Sequence, residues 1–428
     1  MLDRTGTSTS SQQVEAVRAL GARPSMLAPF RVPSYRFQWP ADLLTSWAFE
    51  METLILGWYV LVETGSVLWL TVFGALQYFG TLIAPMMGVT SDRIGHRNLL
   101  IGMRAIYALL AATLMTFAFL GAVTPAIVLI IAALMGAIRP SDLGVRSALV
   151  AETMPSDRLI AAMSIARTTT DSARIAGALA GAGVFAVFGM GPAYVFVTAF
   201  YVLGSLLLLG IAPPSRHISL ALTPESTSPW RDLKDGIAQV WNTPILRAVI
   251  WLAFLANLTA FPILNGLLPY VAKDVYALDQ TGLGYLVAAF AAGALLGSIA
   301  LSRVGAGVHL TRLMVVWTFA WYALVLVFAQ MQGPLGGFLS LVLVGVGQSF
   351  AMVPLSIILL RAAGEKFRGR VMGVRMMAIY SLPIGLLAGG VLIDQVGFRV
   401  MASLYAVIGL VFTLIIVLRW PTVLWRRA

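Results

Sequence analysis

The 428-residue chain contains no cysteine. That excludes disulfides, thiol catalysis, zinc–thiolate centres and iron–sulfur clusters, and leaves the compartment open. Charge is scarce too: Asp, Glu, Lys and Arg make up 11% of the residues, against ~25% in a soluble domain. Histidine occurs three times, at His96, His217 and His309, each in a polar connection. No metal centre or catalytic histidine is expected from them. No loop of the form G-x-x-x-x-G-K-S/T occurs, so ATP is not expected as the energy source, nor is any cofactor. Residues 1–33 hold no apolar core of signal-peptide length, so no cleaved signal is expected. The stretch "TGTSTSSQQ" reads as a mobile tail.

What the chain has in abundance is apolar surface. Hydrophobic residues reach 59%, and 40 glycines allow close helix packing in lipid. Counting apolar runs of about 20 residues gives twelve spans. They fall at 39–62, 67–89, 99–121, 124–142, 164–188, 193–212, 245–270, 283–302, 313–331, 335–360, 371–393 and 399–418. The longest polar interruption, 213–244, is rich in Pro, Ser and Thr and divides the chain near its middle. The expected organisation is a cytoplasmic tail (1–33), a six-helix half (34–212), a cytoplasmic linker (213–244), a second six-helix half (245–418) and a short cytoplasmic tail (419–428).

Charge placement sets the orientation. Of 29 Lys and Arg, only Lys273 and Arg399 fall in loops expected outside. By the positive-inside rule both termini are cytoplasmic. The net charge of +11 is then a consequence of topology, and no nucleic-acid partner is expected.

Internal repetition supports two related halves. Pro140 and Pro354 are 214 residues apart, Arg158 and Arg370 are 212 apart, and "GALAG" (177–181) and "GLLAG" (385–389) are 208 apart. Half the chain is 214 residues. Parallel six-helix halves are a transporter architecture.

The loop after the second span reads "GVTSDRIGHRNLL", residues 88–100. It resembles the G-x-x-x-D-R-x-G-R-R signature of the major facilitator superfamily, with Gly88, Asp92, Arg93, Gly95 and Arg97 in register and His96 where a basic residue is usual. Further stretches resemble the bacterial efflux branch that includes enterobactin and macrolide exporters. These are "ETGSVLWL" after the first span, "RPSDLGVRSALVAETMPSDRLIAA" (139–162) and "LLPYVAKDVYALDQTGLGYLVAAFAAGALLG" (267–297). The likeness runs from about residue 30 to 418. It implies a monomeric carrier in a bacterial inner membrane that takes a small organic compound and protons by alternating access. Two positions depart from the pattern. Gly177 is followed by Ala178 where the antiporter motif has Gly-Pro, and the second-half copy of the loop signature has decayed to "GSIALSRVGAGVHLTR". The first departure keeps proton-coupled import open as an alternative to export. A non-transporting scaffold or sensor is the alternative from another class.

The resemblance implies that Asp92 latches against the N-terminus of the eleventh span, near Arg370; the alternative is a plain hydrophilic turn that obeys the positive-inside rule. A helix dipole favours an anion there.

The first span carries acids in the middle of an apolar run. A charge at a bilayer centre costs roughly 3 kcal/mol on insertion scales. At ~100° per residue, Asp42, Ser46, Glu50, Thr53 and Gly57 fall within an arc of about 80°. Glu52 lies roughly 160° from Glu50 on the same wheel. One acid is therefore expected to line a central cavity and the other to meet a basic residue on a neighbour, with Glu50 favoured as proton carrier because it lies on the stripe. The alternative is that both are permanently ion-paired. Moving one charge through ~150 mV supplies ~3.5 kcal/mol, enough for a roughly 300-fold gradient.

Arg139, Asp142 and Arg146, and Arg167, Asp171 and Arg174, are spaced to share helix faces near the cytoplasmic end. They are candidate gate ion pairs, or snorkelling side chains. Arg104, about a turn and a half into the third span, is a further candidate partner for these acids, with snorkelling the favoured reading. Asn257, Asn265, Gln348 and Tyr380 are candidate cavity-lining groups, with Trp251, Trp317 and Trp321 as possible aromatic walls. Pro262 and Pro383 are candidate helix breaks. No nucleophile, base or metal cluster marks an enzyme.

Overall fold

The computed structural model describes residues 27–82, 94–212, 229–303 and 308–425. Among them there is no strand. The helices are α1 (Pro33–Thr64), α2 (Val67–Leu76, continued by a 3-10 turn over Phe79–Leu82), α3 (His96–Phe119), α4 (Pro125–Thr153), α5 (Ser156–Phe188) and α6 (Met190–Leu209). After the interruption come α7 (Pro229–Asn242), α8 (Pro244–Val275), α9 (Gln280–Ser302), α10 (Leu310–Gln330), α11 (Pro334–Ala378), α12 (Ser381–Arg419) and the short α13 (Pro421–Leu424).

Local chemistry sets the starts. Proline opens α1, α4, α7, α8 and α11, a position where its missing N–H costs nothing. Thr124 caps α4 by accepting from the Ile127 N–H, and Asp279 caps α9 by accepting from Gly282. Within α8 the helix widens to π turns at Ala256–Ala260 and Val271–Val275, on either side of Pro262. The break associated with Pro383 falls just before it, at Ile379–Tyr380.

Two long helical runs fold back on glycine. Gly364 (φ 67°) interrupts α11 and Gly397 (φ 79°) interrupts α12. The reversal at Gly397 shows in a hydrogen bond from the Tyr405 hydroxyl to the Gly385 carbonyl at 2.7 Å. Those residues would be about 30 Å apart on a straight helix.

Nine helices among the described residues are long and apolar enough to cross a membrane. One of them, Phe367–Arg419, turns at Gly397, α2 with its 3-10 turn is a shorter apolar segment, and α1 is long but charged. The outer surface is apolar: Leu109, Val187, Leu206, Leu296 and Leu339 are all exposed. The buried interior holds Asp42, Glu52, Arg104 and Asp142. That inversion fits a bundle whose outside faces lipid, and the chain is a multi-pass integral membrane protein.

Two apolar runs underestimated their helices. The spans expected at 124–142 and 164–188 are the inner parts of α4 and α5, which extend to Thr153 and back to Ser156. Charged residues such as Arg146 and Arg158 end the apolar run without ending the helix. The polar interruption likewise contains α7, which Asp235 fastens to Arg370 at 3.2 Å.

The two halves meet through α5 against α9 and α2 against α12. Small residues make both contacts. A Cβ on Gly284 of α9 would lie 2.5 Å from the Ala182 Cβ of α5, and Gly390 of α12 sits against Thr71 of α2. Within the first half, Gly177 and Gly181 of α5 pack on α1, where an added Cβ would meet Glu50 Cβ and Met51 Cα at 2.9 Å.

Candidate functional site

Where the halves meet lies a cavity of ≈ 200 Å³. Glu50, Thr53, Gln77 and Arg174 reach it from the first half, and Asn265 and Val287 from the second. Its walls are mixed polar and apolar, the character of a small-molecule site.

Glu50 is half-buried, with the charges of Arg174 and Arg139 within electrostatic reach. Arg174 crosses the seam, donating through Nη2 to Asn265 Oδ1 at 2.5 Å, with its guanidinium 5.1 Å from the Phe290 ring centre. Arg139 of α4 lies over the Phe49 ring and donates to three neutral acceptors. These are Gln77 Oε1 at 2.8 Å, the Phe49 carbonyl at 3.2 Å and Thr53 Oγ1 at 3.2 Å. No carboxylate lies within 4 Å of it among the described residues.

Glu52 points the other way, as the wheel requires, into the core of the first half. The charge of Arg139 on α4 is within electrostatic reach, but the hydrogen bonds to Glu52 come from phenols. Tyr201 donates to it at 2.9 Å and Tyr194 at 3.4 Å, both from α6. Hydroxyls can satisfy a buried carboxylate without adding a second charge to desolvate.

Asp42 is buried deeper along the stripe and forms an ion pair with Arg104. Arg104 is 0% exposed, so the expectation that it snorkels was wrong. Its Nε also lies 4.0 Å from Asp142 Oδ2. A carboxylate sixty-two residues upstream holds the guanidinium inside.

The gate sets do not act as pairs within one helix, with a single exception. Arg139 donates to Gln77, which lines the cavity, Asp142 faces Arg104, and Arg146 donates to Ser46 Oγ at 3.2 Å. Arg167 and Asp171 do pair, at 3.1 Å, on an exposed edge of α5. Arg174 leaves that set for Asn265.

Of the expected cavity-lining groups, Asn265 lines it. Asn257 folds back on the Ala253 carbonyl of its own helix at 2.8 Å. Gln348 is half-buried away from the cavity. Tyr380 bonds the Thr81 carbonyl, a contact between halves at the end of α2. Trp251 is on the outer face, Trp317 stacks on Phe350 at 4.5 Å, and Trp321 is fully buried. Side-chain types alone gave these positions no direction.

Gly88, Asp92 and Arg93 lie outside the described residues. Gly95 takes φ 83° before α3, which glycine adopts without strain. Arg97 donates to the Leu209 carbonyl at 2.8 Å, at the end of α6. His96 meets Glu152 at 2.6 Å. The sequence reading missed Gln77, Tyr194 and Tyr201. A seven-residue tyrosine spacing places both hydroxyls on one face, the signal that could have found them.

The sequence profile described as Major Facilitator Superfamily matches residues 43–382, and again residues 250–426. No curated protein matches the chain. Among solved structures the chain is similar to the nucleoside transporter NupG, with TM-score 0.67, 14% identity, and 90% of this chain and 100% of that one covered. It is similar to a POT family transporter in complex with 5-aminolevulinic acid, with TM-score 0.68, 14% identity and coverage of 90% and 96%. It is also similar to the E. coli fucose:proton symporter FucP, with TM-score 0.58, 15% identity and coverage of 92% and 99%. At such identities the structures speak for the fold, and the profile, covering most of the chain, places it in a family: this chain belongs to the Major Facilitator Superfamily and is a transporter, not an enzyme.

Proposed function

We propose that the chain is a twelve-span, proton-coupled exporter of a small organic compound, with both termini in the bacterial cytoplasm. The observation that carries this reading is the cavity at the seam, with one carboxyl, Glu50, facing it and one hydrogen bond, Arg174 to Asn265, crossing it. Desolvation disfavours the charged form of a carboxyl, so Glu50 would exchange its proton with whichever side the cavity opens to. Rocking of the halves would break the Arg174 bridge and carry proton and cargo in opposite directions. Glu52 and Asp42, shut in the core, would act as supports for this cycle more than as carriers. The loop signature, through Asp92, would latch the cytoplasmic side, and the resemblance of residues 139–162 and 267–297 to the drug and siderophore efflux branch favours export.

The experiment is reconstitution of the whole chain into vesicles with an imposed pH gradient. A susceptibility and accumulation screen in a deletion strain first identifies the cargo. Export predicts cargo flux against the proton flow, and Glu50→Gln abolishes the coupling. Flux running with the protons would establish import, a reading supported by the fold shared with a fucose:proton symporter. A phenotype unmoved by Glu50→Gln would leave only a scaffold or sensor.

A further inference from the structure

On the outer face, far along the chain from the central cavity, a groove of ≈ 340 Å³ runs between α10 and α12. Its walls are Val315, Val316 and Phe319 of α10, Val417 and Leu418 of α12, and Trp425 just after α13. The groove opens outward: Val316 is 49% exposed, Leu418 68% and Trp425 46%. On a bundle whose outer face meets lipid, an open apolar groove takes a hydrocarbon chain.

Three arginines flank the α13 end of this groove. Arg312, one turn before Val315, donates through Nε to the Trp425 carbonyl at 2.9 Å. Arg419 follows Leu418, with its guanidinium 5.8 Å from the Trp420 ring centre. Arg247 of α8 approaches the same ring at 5.9 Å. No carboxylate lies within 4 Å of any of them among the described residues. Two guanidiniums share the Trp420 indole, and the third is held on the carbonyl of Trp425, a groove-lining residue. Aromatic faces attract these cations but do not neutralise them. An anion placed there would relieve their mutual repulsion.

We propose that α10, α12 and α13 form a binding site for one anionic phospholipid, its acyl chain in the groove and its phosphate among Arg312, Arg419 and Arg247. The juxtaposition of an apolar channel with clustered cations at the helix ends matches the chemistry of such a lipid and of no water-soluble cargo. Lipid bound there would brace α10 against α12. It stands apart from the central cavity and does not depend on what that cavity carries.

The test uses the purified full-length chain in detergent and titrates dioleoylphosphatidylglycerol, dioleoylphosphatidylcholine and glycerol 3-phosphate by native mass spectrometry. The anionic lipid is expected to bind at least about tenfold tighter than the zwitterionic one. Each arginine near an anionic headgroup is worth about fivefold, so Arg312→Gln with Arg419→Gln should weaken the anionic lipid about 25-fold. Val316→Trp, which fills the groove, should weaken both lipids. Should the double variant fail to fold, brominated phosphatidylglycerol on the unmodified chain must quench tryptophan emission, and Trp425→Phe must remove a larger share of that quenching than with brominated phosphatidylcholine. Equal binding of the two lipids overturns the proposal, as does a preference that survives the double variant. Glycerol 3-phosphate binding as tightly as the lipid would remove the groove from it.

Discussion

The two halves differ in what they bury. In the first half Gln38, Asp42, Glu52, Arg104 and Asp142 are all under 9% exposed. In the second the buried polar groups are hydroxyls: Thr259, Thr318, Ser340, Ser349, Ser381 and Thr413. A hydroxyl can return its hydrogen bond to its own helix, as Thr259 and Thr318 do to the carbonyls four residues back. A charge cannot be satisfied that way and needs a partner from another helix. The first half is therefore knitted across α1, α3, α4 and α6 by ions, while the second is held by packing. In the proposed cycle, electrostatic work would fall to the knitted half, with the packed half as the wall against which it moves.

The largest test of this contrast is Arg104→Leu. Removing one member of a buried ion pair costs about 3–5 kcal/mol, which should lower the thermal unfolding midpoint in detergent sharply. A midpoint within a degree of the parent would mean the halves do not differ in this way. Next comes Glu50→Gln, which should leave stability near the parent's but collapse cargo accumulation to unity in vesicles held at ~150 mV, where one coupled charge would sustain a roughly 300-fold gradient. Gly181→Leu drives a side chain into the Met51 backbone and should cost about 1–3 kcal/mol by overpacking, read in the same unfolding assay.

Tyr201→Phe leaves Glu52 with its longer bond to Tyr194 alone and should cost about 1–2 kcal/mol. A neutral result would mean water takes over. The smallest effect is expected in the packed half. Thr413 is buried with its hydroxyl unpartnered, so Thr413→Val should be neutral or mildly stabilising, within about 0.5 kcal/mol. A cost above about 2 kcal/mol there would erase the comparison.

The family and the helices were legible because hydropathy and the 88–100 motif are local. So was the outlook of Glu50, since a helical wheel fixes which acid shares a face with Ser46 and Thr53. The wheel does not say which neighbour waits on that face. Arg104 looked like a snorkelling cation because nothing near it in sequence is acidic, yet Asp42 meets it from α1. Glu52 was assigned a cation on charge alone; Arg139 is within electrostatic reach, but the carboxyl's hydrogen bonds come from two phenols on α6. Arg146 and Arg158 ended apolar runs that the helices ignored, because a helix leaving the membrane keeps its backbone bonds and changes only its side chains.

The bond from Arg174 to Asn265 has a consequence for an idle carrier. With nothing aboard, these two groups satisfy each other and stitch the seam. A cargo offering its own acceptor can take Asn265's place on the guanidinium, so loading and unstitching become one event. In the proposed proton-coupled cycle, cargo would then shift the equilibrium by favouring the loosened form, and an empty carrier would stay closed, sparing the cell a leak of protons.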